Sequence, residues 1–77
     1  MKHKLLDSVV LNRDIPEHGL QRGDVGAIVE IYEPDGVEVE FVTGDGHTQA
    51  LLTLHDRDVR SVDADELMSV RRLRRSA

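Results

Sequence analysis

The chain has 77 residues, a formal net charge of −5 and no cysteine. That length holds one small domain burying about 60% of its unfolded surface, and the missing thiols exclude a disulfide framework or a thiolate-bound metal. An acidic body works against phosphate-driven nucleic-acid binding and favours a basic protein partner.

The opening "MKHKLLDSVVL" lacks a secretory pattern, because Asp7 and Ser8 break its apolar run. No window approaches the roughly 20 apolar residues of a membrane span. A cytoplasmic protein without membrane contact is expected. "SVVLNR", residues 8–13, suits a first strand with Val9 and Leu11 on one face and Val10 on the other. A long first loop follows, "DIPEHGLQRGD", where Pro16, Gly19 and Gly23 exclude regular structure and Ile15 and Leu20 tuck inward.

"VGAIVEIYE" alternates as a second strand. Val25, Ala27, Val29 and Ile31 share an apolar face and are expected in the core; Gly26, Ile28, Glu30 and Tyr32 are expected outside. "EPDG", residues 33–36, is a turn. "VEVEFVT" continues the alternation, with Val37, Val39 and Phe41 in and Glu38 and Glu40 out. "GDGH" turns the chain again. "TQALLTLH" places Ala50, Leu52 and Leu54 inward and Leu51 outward. "HDRD" reads as a 3₁₀ turn, and "VRSV", residues 59–62, as a closing edge strand.

Five short antiparallel strands would leave exposed edges unless the sheet closes. An all-β, five-stranded SH3-like barrel over residues 1–62 is therefore expected. An OB-fold, the second choice, needs longer strands and a helix. Residues 63–77, "DADELMSVRRLRRSA", form a short C-terminal extension with an arginine-rich end. Asp63 and Glu66 have capping-box spacing, yet a turn around Ala64 to Leu67 and then a strand-like segment is expected. The arginines read as a solvated tail.

Gly23 and Gly26 in "GDVG" could suggest a phosphate cradle, but that needs a following helix N-terminus and a strand follows. Gly26 is instead expected at a bulge or a close backbone approach on the outer face. From "LLD" through "DIPEHGL", "GDVGAIVEIY", "VEFVTGDGHTQALLTL" and "DVRSV", residues 5–62 resemble the bacterial family called domain of unknown function 4926. The resemblance implies a short stand-alone SH3-like barrel. It also implies an antitoxin-like or immunity-like binding role, and it carries no catalytic residues. Over about ten residues "GDVG" also resembles the KOW motif of ribosomal and transcription-factor barrels.

His3, His18, His47 and His55 have no ligand spacing and read as surface residues, although His18 beside Glu17 and His47 near Asp45 are compatible with a fortuitous cation. Met1-Lys2-His3 has the nitrogen-donor pattern of an incidental Cu(II) site. No metal or cofactor is expected. Ser8, Ser61, Ser69 and Ser76 lack the setting of a nucleophile triad, and a filled small barrel leaves little room for a pocket, so an enzyme is not expected. Tyr32 and Phe41 are the only aromatic residues, too few for a proline-peptide groove or base stacking.

Protein binding through the outer face remains. Ile28 and Tyr32 would form its apolar centre, with Glu30, Glu38 and Glu40 as a charged rim for a basic partner. One alternative is a self-associating structural barrel, a homodimer through Leu51 or the C-terminal segment. Another is a KOW-like nucleic-acid module with Arg71, Arg72, Arg74 and Arg75 on phosphates.

Overall fold

The computed structural model describes residues 3–73. Its strands are β1 (Ser8–Leu11), β2 (Val25–Tyr32), β3 (Gly36–Val42), β4 (Thr48–His55) and β5 (Val59–Ser61). Two 3₁₀ turns, Pro16–His18 and Asp56–Asp58, complete the regular structure. All strand pairs are antiparallel, in the order β4-β3-β2-β1-β5. The sheet is open: β4 and β5 are its edges, joined by the Asp56–Asp58 turn without pairing. Hydrogen-bonded closure into a barrel is thus absent from the described residues. No helix among them is long and apolar enough to cross a membrane.

The core gathers Val9, Leu11, Ile28, Val37, Val39, Phe41, Ala50, Leu54 and Val59, with Ile31 and Leu52 packed against it. Ile15 and Leu20 plug it from the long loop, bridged to each other by backbone hydrogen bonds of 2.9 and 3.1 Å. On β3 and β4 the alternation places residues as expected.

β2 departs from expectation. Its register with β3 shifts between Ile28 and Glu30. A bulge there inserts one unpaired residue, and one residue reverses the parity of a strand. Before the bulge Gly26 and Ile28 face inward; Ile28 is fully buried opposite Val39. After it Ile31 faces inward, opposite Val37. Ile28 is therefore a core residue and not part of the outer face. Gly26 likewise lies on the inner face. It marks a close approach, and the bulge sits at Val29.

Residues 62–73 form neither helix nor strand, so the expected strand-like segment is absent. The turn at Ala64 and Asp65 is present: the Glu66 N–H donates to the Asp63 carbonyl at 3.1 Å, and the Asp63 N–H donates to Glu66 Oε1 at 2.7 Å. Two arginine forks tie this strap to the sheet. Arg60 donates through Nη1 and Nη2 to both Glu66 carboxylate oxygens at 2.7 Å. Arg71 donates to both Asp24 oxygens at 2.8 and 2.6 Å and to the Gly19 carbonyl at 2.9 Å. The strap lies beside Val10 and Val25, which are paired on the outer face at this end of the sheet.

The Arg60 fork and the Asp63 N–H lower the Glu66 pKa from the ordinary 4.5 to about 2. A depressed folded pKa contributes stability that is complete above the unfolded value and is lost as pH falls through the folded one. Strap attachment is therefore expected to weaken between pH about 4.5 and about 2. Nuclear magnetic resonance of residues 60–68 across that window checks it. The response should flatten in Glu66→Gln, and an unchanged response there would reject the clamp.

Candidate protein-binding face

β2, β3 and β4 present one outer face whose rows follow from the register. Glu30 stands opposite Glu38, and Glu38 opposite Thr53. Ala27, Glu40 and Leu51 form the next row, and Tyr32, Gly36 and His55 another. Tyr32 and Leu51, 45% and 53% exposed, bracket the three carboxylates from opposite corners. The sequence signal for Leu51 and Thr53 was present in the alternation of β4, although Thr53 was not singled out.

Neutral donors hold the glutamates in place. Tyr32 Oη and Thr53 Oγ1 donate to Glu38 Oε1 at 3.2 and 3.4 Å. Thr48 Oγ1 donates to Glu40 Oε2 at 2.6 Å, and the Ile31 N–H to Glu30 Oε1 at 3.2 Å. Partial burial, then the Glu38 hydrogen bond and charge, raise the Tyr32 pKa above the ordinary phenol value. Among the described residues no cation pairs with Glu30, Glu38 or Glu40. Yet Glu30 and Glu38 are directly opposed, an arrangement that destabilises a sheet.

The arginines of the strap and loops are used elsewhere. Arg13 pairs with Asp58 at 3.1 Å, Arg60 with Glu66 at 2.7 Å and Arg71 with Asp24 at 2.6 Å. Burial raises the Asp24 carboxyl pKa, but the Arg71 fork and the Gln21 N–H outweigh it and hold the group below its usual range. Arg71 is thereby occupied and not free to meet a phosphate. Arg72 is exposed, and Arg74 and Arg75 lie outside the described residues.

The histidines divide. His47 is exposed, with Nδ1 2.9 Å from Asp45. His55 is part-buried, with Nε2 2.9 Å from Asp35 and Nδ1 3.0 Å from Asp56. His3, expected at the surface, is buried at 3% exposure, and neither ring nitrogen has a hydrogen-bond partner among the described residues. Its neighbours in sequence give no periodic signal that would have placed it inside. No group of three metal-ligating side chains occurs among the described residues.

A cleft of about 710 Å³ opens between strap residues 69–73 and Leu20, Val25, Phe41, Val42 and Gln49. The sequence had left little room for such a space; it exists because the strap spans the sheet instead of joining it. Among the described residues its only carboxylate is Asp24, already bound by Arg71, and no histidine lines it.

A family model described as "Domain of unknown function (DUF4926)" matches residues 5–61. Nothing among the curated proteins matches the chain, and nothing among the solved structures does.

Proposed function

The chain belongs to the family described as domain of unknown function 4926, and for this member we propose a role as a non-catalytic, SH3-like protein-binding module of the cytoplasm. The SH3-like reading draws support from the long β1–β2 loop, the strand order and the 3₁₀ turn before β5. Its partner is a basic protein that docks on the outer face, and its role is antitoxin-like or immunity-like. One observation carries this reading: Glu30, Glu38 and Glu40 share a face and pair with no cation among the described residues, while Arg13, Arg60 and Arg71 neutralise other carboxylates. A partner's lysines or arginines would relieve the Glu30–Glu38 opposition and steer association. Tyr32 and Leu51 supply apolar contact in place of the buried Ile28.

The test uses a partner purified with the chain from its native host. Glu38→Lys with Glu40→Lys is expected to slow association and to abolish its salt dependence, while Tyr32→Ala speeds dissociation. Circular dichroism first establishes that each variant is folded. Parent-like kinetics in both would reject the face, and steep salt-dependent RNA binding would favour the arginine-based alternative.

A further inference from the structure

The two edges of the sheet are unlike. β5 has three residues and carries Arg60, so it is short and charged. β4 has eight residues, "TQALLTLH", with no lysine, arginine, carboxylate or proline. Sheets ordinarily blunt their edges with brevity, charge, proline or a covering segment.

The backbone hydrogen bonds identify which groups of β4 are free. The Asp56 N–H donates to the Asp35 carbonyl at 2.8 Å, one step beyond the Gly36–His55 pair. Antiparallel pairs alternate, so Val37–Leu54, Val39–Leu52 and Phe41–Ala50 also exchange hydrogen bonds. The N–H and C=O groups of Leu51 and Thr53 therefore point away from β3, toward the open edge. Both ends of this window are bounded. The Gln49 side-chain amide donates to the His18 carbonyl at 3.1 Å, and the His55 N–H donates to Asp58 Oδ2 at 3.0 Å.

We propose that β4 is a strand-addition site at Leu51 and Thr53 for an extended, antiparallel segment of another protein with lysine or arginine at alternate positions. This inference rests on the acidic-face reading and specifies how its partner is held. Residues of the added strand opposite Leu51 and Thr53 would project onto the outer face. They would stand two strand spacings, about 9.6 Å, from Glu40 and Glu38, a gap that a long cationic side chain closes. Main-chain bonds would supply affinity and the alternate cations specificity. A second copy is the poorer occupant: pairing β4 with β4 would merge two acidic faces into one.

The probe is a capped nine-residue peptide alternating lysine and valine, added to the full chain. The Leu51 and Thr53 amides are expected to exchange at least about tenfold more slowly when it binds. N-methylation of the lysine nitrogens, which face β4, should weaken binding by about tenfold or more, whereas N-methylation of the valine nitrogens should not. Glu38→Gln with Glu40→Gln, verified as folded, should weaken it severalfold. If the N-methyl-lysine peptide binds like the parent peptide while the glutamine variant is impaired, strand addition fails and the face reading survives. If neither change matters, or the peptide does not bind, the proposal fails. A dimer by sedimentation whose formation protects the same amides overturns it in favour of a second copy.

Discussion

Gly26→Val is expected to lower the melting temperature by about 12–24 °C, the equivalent of roughly 3 kcal/mol in a domain of this size. A Cβ at Gly26 would lie 2.6 Å from Val39 Cγ1, 2.9 Å from Phe41 Cε1 and 3.0 Å from the Glu40 carbonyl oxygen. Val39 and Phe41 are themselves buried, and the carbonyl is part of the β2–β3 ladder, so none can withdraw freely. Valine also brings two methyl groups beyond Cβ. Its intrinsic advantage in a strand, within a scale of about 1 kcal/mol, is too small to compensate. Thermal melting followed by circular dichroism decides the matter. A variant that melts at or above the parent temperature would place position 26 away from the core.

Ile28→Ala tests the parity of β2 from the other side. Ile28 is fully buried opposite Val39, so truncation removes apolar contact and leaves a cavity, a loss of ~2–5 kcal/mol. Marginal stability of about 0.05–0.15 kcal/mol per residue makes that a large share of the total. Tyr32→Ala, at an exposed site on the same strand, should cost far less, near the ~0.5 kcal/mol typical of surface changes. Denaturant titration of both variants reads the contrast. Equal, small losses would return Ile28 to the outer face and remove the bulge at Val29.

These two positions mark where local pattern was insufficient. In β3 the residues alternate between glutamate and large apolar side chains, so only one assignment of faces avoids burying Glu38 and Glu40. In β2 the stretch Val25 to Val29 is uncharged throughout and either parity satisfies it. The candidate site divides in the same way. Glu30 and Tyr32 follow the bulge and, with Glu38 and Glu40 of the unbroken β3 alternation, lie outside, as their polarity requires. Ile28 precedes the bulge and does not.

The arginines teach a second limit. "RRLRR" reads as a block of like charge, yet Arg71 is bound to Asp24 at a separation of 47 residues. No periodicity links two positions that far apart. The strap and its cleft follow from this contact and the Arg60 fork, and so were not visible in composition or spacing. His3 belongs with them, since its burial depends on a fold assembled from residues that follow it.

From its sequence alone the chain was all-β, with five strands, two turns, a loop plugged by Ile15 and Leu20, and an acidic outer row. Alternating polarity and turn residues act over two to four positions, and sequence displays those distances directly. Tertiary structure decided the bulge in β2, the inward turn of Gly26 and Ile28, the open edge of β4 and the occupancy of Arg71. Each depends on which strand or loop lies alongside, because register and ion pairing are set by partners distant in sequence and adjacent only after folding.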